Sequence, residues 1–393
     1  MDLRSKIAVW RAVGCLAALL LSQGSAPALA QSDKSGAPIP AATLALMKAR
    51  ETTAAAPILI RSYKKEAELE IWKKAKNGRF VLLKAFPICR WSGQLGPKSK
   101  AGDRQTPEGF YSVGPKQMNP NSAYYLSFDT GYPNAYDRAH GGSGSYLMVH
   151  GTCSSAGCYA MTDKGVGEIY ALARDALRGG QPAFQFQAYP FRMTAQNMAK
   201  YRSDPNIAFW RQLKEGSDRF EATGEELVVG VAAGRYVFAA SADPEKEALA
   251  AARRDEEEAR VAALIADGGA AVRTTYADGG QHPAFLELAR QGAFLGEVSR
   301  PEALAYAGLD VIVTPARPKR RSPATASLAP NAAKDATPLE AAAPQPAAAA
   351  SSSAAELSAF APAPMCYPLG RPTPKVQSLM AGAMPILPAT FID

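Results

Sequence analysis

The chain has 393 residues, 47% hydrophobic and 20% charged, with 32 Gly and 30 Pro, enough apolar mass for a real core and room for two domains plus tails. Aromatic and branched residues crowd its first half, which excludes disorder throughout, and the longest apolar run, Ala12 to Leu21, falls short of the roughly 20 residues that cross a bilayer, which excludes a multi-span membrane protein. A formal net charge of +8 suits an anionic envelope polymer, and no nucleic-acid partner is expected.

Arg4, Lys6 and Arg11 make a basic start, Val13 to Leu21 an apolar centre, and Ala28-Leu29-Ala30 a small-x-small cleavage site. These are the parts of a secretory signal over residues 1–30. The mature chain is expected to begin at Gln31 in the periplasm, with no stable membrane span after cleavage. Cys15 lies inside the apolar run rather than after it, which argues against a lipid anchor. Export leaves Cys89, Cys153, Cys158 and Cys366 in an oxidising space, where three full pairings are open and the sequence does not choose.

Residues 31–56, rich in Ala, Pro and Ser, read as a linker with one helical patch around Thr43 to Arg50. From Pro57 the texture changes. Ile58 to Tyr63 and Glu68 to Trp72 are strand-like, and Asn77-Gly78 predicts a tight turn into Arg79 to Phe86, because apolar alternation on both sides of Asn-Gly signals a hairpin. Gly93 to Gly109 is a long loop, followed by short strands at Phe110 to Val113 and Tyr124 to Phe128. A second long loop spans Asp129 to Ser143; such loops in a compact domain commonly cover a binding groove.

Tyr146 to Val149 is an apolar, central strand ending at His150. Asp163 to Leu177 has helical spacing, with Ile169, Leu172, Ala173 and Leu177 on one face and Gly179-Gly180 as the stop. Ala183 to Tyr189 alternates as a strand, Thr194 to Arg202 and Asn206 to Leu213 read as short helices, and Leu227 to Phe238 as a hairpin. The pattern predicts a mainly β domain with a few helices over residues 57–240. Beyond it, Asp243 to Asp267 is a helix whose charges mark a solvated face, within a small helical accessory region at 241–315. The basic run Arg317 to Arg321 reads as solvated linker, and residues 316–393 as a disordered low-complexity tail.

The stretch Val149 to Asp163 carries the chemistry. An imidazole ends a central strand, a Gly/Ser loop follows, and Gly157-Cys158 leads towards a helix. Cysteine catalysis needs a thiolate, a base for its proton and backbone N–H groups aimed at the oxyanion; one strand–loop element can supply all three. Three other readings stay open. His150, Cys153 and Cys158 could ligate a metal, although a structural zinc site needs a fourth ligand and no CxxC knuckle occurs, so no metal and no cofactor are expected. Cys153 and Cys158 could bond to each other. His150 could be a satisfied core histidine, but it is one of only three and sits at a strand end shortly before Gly-Cys, which favours chemistry.

His150-Gly151, Ser155-Ala156-Gly157-Cys158 and Met161 resemble the H-G…S-x-G-C-x-x-M motif of the YkuD-type L,D-transpeptidase catalytic domain. Pro87 to Gly93, Leu95 to Lys98, Thr106 to Tyr111, Gly131 to Arg138 and Pro190 to Thr194 are similar to its YafK-type murein branch. The resemblance covers roughly residues 57–238 and nothing beyond 240. It implies a mainly β, sandwich- or barrel-like catalytic domain acting on peptidoglycan stem peptides, with Cys158 as nucleophile, His150 as base, Gly157 and Cys158 at the oxyanion site, and Ser155 orienting the imidazole.

In family terms the thiolate attacks the diaminopimelate carbonyl and leaves a thioester. An amine acceptor then gives transpeptidation; water gives hydrolysis, which in this branch includes release of a murein-linked lipoprotein. A non-catalytic murein-binding module is the rival reading. Ala160 stands where many members carry Arg, so Arg104, Arg138 and Lys98 become candidates to hold a substrate carboxylate. Cys89 and Cys153 both fall in stretches that match the branch. A bond between them, tying the active-site loop to the hairpin and leaving Cys158 free, is the expectation; Cys366 is then an odd thiol.

Overall fold

A computed structural model describes residues 34–292 and 308–314. The signal segment 1–30, the basic run at 317–321, Cys366 and the remaining tail lie outside the described residues. In chain order the elements are α1 (Ala41–Ala49), β1 (Ile58–Tyr63), β2 (Glu68–Lys74), β3 (Phe80–Pro87), β4 (Gly109–Val113), β5 (Met118–Asn119), β6 (Ser127–Asp129), α2 (Ala135–Ala139), β7 (Met148–His150), β8 (Tyr159–Ala160) and α3 (Asp163–Arg178). There follow β9 (Phe184–Tyr189), α4 (Ala195–Lys200), α5 (Ile207–Thr223), β10 (Val229–Ala232), β11 (Arg235–Phe238), α6 (Pro244–Ala266), β12 (Ala271–Thr275), α7 (Pro283–Arg290) and β13 (Leu309–Thr314).

Five strands form the main sheet in the order β3-β2-β1-β9-β4. All its pairs are antiparallel except β1 with β9. The order explains why Ile58-Leu59-Ile60 forms a strand buried at every position: it has partners on both edges and cover on both faces. A smaller sheet, β5-β6-β7-β8, packs against it. Phe128 of β6 lies edge-on to Phe184, and Tyr159 of β8 edge-on to Phe186, both on β9. These aromatic contacts between facing strands make the β-sandwich core. The outward Gln185 and Gln187 of β9 are buried as well, satisfied by the Leu227 carbonyl and by each other.

Several expectations shift. The 31–56 segment is docked where it is described: Ile39 and Met47 enter the core, and Thr43 bonds to Glu168 of α3. The strand expected at Tyr124 to Phe128 is Ser127–Asp129, because Tyr125 turns the chain at φ 68°. The helix expected to end at Leu213 runs to Thr223 and covers the main sheet; there Arg61, fully buried among Tyr63, Trp72, Tyr189 and Phe220, reaches Glu221 and Ser217.

α6 starts at the Asp243 cap and stops at Asp267, as its sequence predicts, but its charges are not all solvated. Glu257 is buried against Lys214, which also holds Asp218, and Glu247 pairs with Arg219. Among the described residues α6 is therefore packed onto α5, and the 276–282 segment runs beside Ile88 to Gln94.

Candidate active site

The site sits on the outer face of the smaller sheet. β7 and β8 run parallel, with Val149 opposite Tyr159 and His150 opposite Ala160. Side chains alternate across a sheet, so Val149 and Tyr159 enter the core while His150 and Ala160 face away from it. Cys158 lies immediately before β8, a diagonal neighbour of His150 across the pair, which is within reach of an aromatic side chain. Main-chain bonds close the intervening loop: Met161 N–H donates to the His150 carbonyl (2.7 Å), Cys153 N–H to the Met161 carbonyl (3.2 Å), and Gly151 N–H to the Tyr124 carbonyl (3.0 Å). Thr152 and Cys153 both take left-handed backbone angles to make the turn.

The loop is tied covalently. Cys89, at the end of the hairpin, is disulfide-bonded to Cys153, and Cys158 is a free, buried thiol. The bond removes Cys153 from any metal set and from pairing with Cys158, so two of the three competing readings lose a sulfur they need.

Cys158 is 5% exposed and His150 3%. The Met148 N–H donates to the sulfur (3.4 Å), and the thiol points towards the Tyr146 carbonyl (3.9 Å). Nδ1 of His150 lies 2.6 Å from the Gly151 carbonyl. A carbonyl can only accept, so Nδ1 carries the hydrogen and Nε2 keeps its lone pair, the state a base requires. Tyr124 packs on the ring with centroids 4.7 Å apart.

Burial pushes the thiol up to about 11, against the Met148 N–H and the Lys98 charge, which pull it down. Burial likewise pulls the imidazole down to about 4, against the Gly151 carbonyl. In the free protein both groups are therefore neutral near pH 7. Among the described residues no hydrogen bond joins them, so the pair rests as thiol and neutral imidazole.

Two expected roles are placed differently. Among the described residues no hydrogen bond joins Ser155 to the imidazole. Its Oγ accepts from the N–H groups of Gly157 (3.2 Å) and Cys158 (3.1 Å) and donates to the Cys158 carbonyl (2.7 Å). Its one proton being committed there, the 2.7 Å contact with Ser92 Oγ has Ser92 as donor. The two amides expected at the oxyanion site are thus occupied by the Ser155 hydroxyl in this state. Gly157 is needed for its backbone, at φ 139°. Thr106 adds a second hydroxyl, donating to the Cys158 carbonyl (3.2 Å) and accepting from Ser92 N–H (3.0 Å).

Of the cationic candidates, Lys98 is half-occupied by Asp103 (2.5 Å), and its charge still acts on Cys158. Arg104 is paired with Asp278 (2.5 Å), and Arg138 is exposed and bonded to the Pro133 carbonyl. Only Lys98 is brought to the sulfur electrostatically. Sequence reasoning missed Tyr124, the Gly151 carbonyl and the Met148 N–H. It also missed Arg90, which bridges Ala160 in antiparallel fashion. The main-chain groups leave no sequence signal, since every residue carries them.

A sequence model of the YkuD L,D-transpeptidase catalytic domain matches residues 64–181. The chain is 48% identical over 181 residues to the "Putative L,D-transpeptidase YafK" of Escherichia coli (strain K12), covering 46% of this chain and 73% of that one, and equally to its counterpart in Escherichia coli O157:H7. Among solved structures, the helical cell shape determining protein Pgp2 from Campylobacter jejuni is 13% identical with a TM-score of 0.28, covering 59% of this chain and 80% of that one. Bd1075 of Bdellovibrio bacteriovorus is 18% identical with a TM-score of 0.26, covering 44% and 59%.

Proposed function

The chain belongs to the YkuD-type L,D-transpeptidase family, and from that premise we propose that it is an exported, periplasmic cysteine acyltransferase acting on peptidoglycan stem peptides. One observation carries the reading: Cys158, a free thiol, stands two residues before Ala160, the strand partner of His150, whose Nδ1–H is fixed on a backbone carbonyl, leaving the lone pair on Nε2. A binding module that merely kept the groove would need neither group. In this reading residues 57–240 are the catalytic unit and 241–315 an accessory region.

As Sγ attacks the diaminopimelate carbonyl, its proton passes to Nε2 of His150 and the carbonyl oxygen becomes an oxyanion. The Gly157 and Cys158 N–H groups turn from Ser155 Oγ to that oxygen, while Ser155 keeps its bond to the Cys158 carbonyl. Collapse breaks the C–N bond, the imidazolium returns its proton to the leaving amine, and a thioester remains. An acceptor amine, deprotonated by His150, attacks next; the thiolate leaves and takes back the proton. The buried site supports proton transfer during attack rather than a standing ion pair, since desolvation disfavours both charges.

A second reading, hydrolysis that releases a murein-linked lipoprotein, is favoured by Ala160, the position two beyond the nucleophile where many members carry Arg. Digestion of purified sacculi with and without an added stem-peptide acceptor separates the two. New cross-linked masses that appear only with acceptor establish transfer, whereas simple release in both arms establishes hydrolysis. If neither product forms, or if Cys158→Ala yields the same products, the acyl-enzyme reading is wrong.

A further inference from the structure

β6 borders the strand that carries His150 and takes no part in the acyl-transfer steps above. It runs antiparallel to β7, with Ser127 opposite His150 and Asp129 opposite Met148. Extended by one residue, the β7–β8 register sets Cys158 beside Met148, and the Met148 N–H donates to Sγ (3.4 Å) across that pair. Phe128, Val149 and Tyr159 fill the core, so the residues that alternate with them point to the outer face. That face therefore carries two rows across three strands: Ser127, His150 and Ala160 in one, Asp129, Met148 and Cys158 in the other. Nucleophile and carboxylate stand in the same row, two strand spacings or about 10 Å apart between α-carbons.

Asp129 is half-buried and little satisfied. Its Oδ1 accepts from Gly131 N–H (2.8 Å), a bond within its own turn. Among the described residues no cation pairs with this carboxyl and no donor reaches Oδ2; burial raises it, and only the Gly131 N–H opposes the rise. Lys98, the cation whose charge reaches the sulfur, is taken by Asp103 and by the Lys100 carbonyl (2.9 Å). A carboxylate that has lost hydration without gaining a counter-charge recovers that cost when an ammonium is brought to it. The same charge bears on the nucleophile. Burial does most to hold the thiol up, the Met148 N–H draws it down, and Asp129 adds to the rise, opposed by Lys98. An ammonium on Asp129 cancels its share and favours the thiolate that attack requires.

We propose that Asp129 binds an ammonium group of the peptide substrate, the amine at the far end of the diaminopimelate side chain. With the reacting carbonyl at Sγ, that side chain runs along the row over Met148, whose apolar side chain matches its methylenes. The inference rests on the stem-peptide reading above and deepens it. Asp129 selects a donor residue that ends in a charged amine, and its neutralisation ties activation of the nucleophile to the arrival of that donor. An acceptor amine has the same chemistry, and turnover separates the two sources.

Calorimetric titration of the full chain carrying Cys158→Ala, with a synthetic stem tetrapeptide and with its form acetylated on the side-chain amine, tests the site. Asp129→Asn keeps the size of the side chain and the acceptor for Gly131 N–H. It should weaken the free-amine peptide about fivefold, the scale of a partly exposed ion pair, and leave the acetylated one unchanged, whereas a packing defect would weaken both alike. In chains that retain Cys158, iodoacetamide labelling at fixed pH is read by mass spectrometry on the peptide carrying that residue. It should run about threefold faster or more in Asp129→Asn. Release from sacculi assigns the amine: a KM raised without acceptor places it on the donor, and a rise confined to the acceptor's KM places it on the acceptor. Equal effects on both peptides, or none, overturn the site while leaving the stem-peptide reading intact, and unchanged labelling overturns its link to the nucleophile. A chain that binds neither peptide overturns both readings.

Discussion

The two main sheets are held in different ways. The five-stranded sheet has strands of five to eight residues, with β1 and β9 buried at every position, so apolar burial and register specify it together. The catalytic sheet has strands of two or three residues. Too short to hold themselves, they are pinned by polar and covalent ties: the Cys89–Cys153 bond, the Ser92–Ser155–Thr106 hydroxyls, and the fully buried Lys64–Glu108 pair. Lys64 also donates to the carbonyls of Gly96 and Thr106, and Glu108 accepts from Gly96 N–H and Trp210, so the pair clamps the 93–109 loop beneath the site. A scaffold built by burial can carry irregular backbone where chemistry needs it, provided specific bonds replace the missing ladder.

The contrast predicts that changes in the catalytic sheet separate activity from stability. Cys158→Ala should lower sacculus turnover by more than about a thousandfold, with the urea midpoint of unfolding barely moved; a loss much smaller than that removes Cys158 as nucleophile. The clamp should behave in the opposite sense. Glu108→Gln strands a buried ammonium and should cost about 3–5 kcal/mol in urea unfolding, whereas replacing Lys64 and Glu108 together by Met and Leu should cost less than the single change.

Cys89→Ser opens a crosslink spanning 64 residues and should cost about 2–5 kcal/mol. Thiol titration of the unfolded mature protein should then find one more thiol, at Cys153. If the count instead falls by one, the bond does not form in the exported chain.

The pH test is smaller and has a definite sign. The folded state holds the His150 imidazole at about 4, below its ordinary 6.5, so between those values the unfolded chain binds more protons. This term makes stability rise with pH through that window, is complete above about 6.5, and amounts to roughly 3 kcal/mol at most. Asp137 and Asp218, pushed up to about 6 by burial, act in the opposite direction from pH 4 to 6. The difference between wild type and His150→Gln isolates the histidine: the variant should gain relative stability as pH falls from 6.5 to 4. A flat difference means that the imidazole is solvated.

Much of this was legible in order along the chain. The three hairpin strands, the helix from Asp163 to its Gly179 stop, and the Asp243 and Asp267 caps follow from local periodicity and capping, which neighbouring residues set by themselves. His150 and Cys158 stood out because few residue types do nucleophilic chemistry. What stayed hidden lies between segments far apart in sequence: Ile39 and Met47 filling the core from an apparent linker, Glu257 finding Lys214, and Asp278 finding Arg90 and Arg104.

The chain alone singled out which groups are candidates for chemistry and where most strands and helices lie, because composition and period are properties of adjacent residues. Only the folded form decided what those groups do at rest. Burial makes thiol and imidazole neutral, Ser155 takes the amides expected for the oxyanion, and a segment from beyond residue 240 runs beside Ile88 to Gln94. The physical reason is that desolvation and hydrogen-bond competition depend on every atom within a few ångströms, and those atoms arrive from parts of the chain that no local pattern connects.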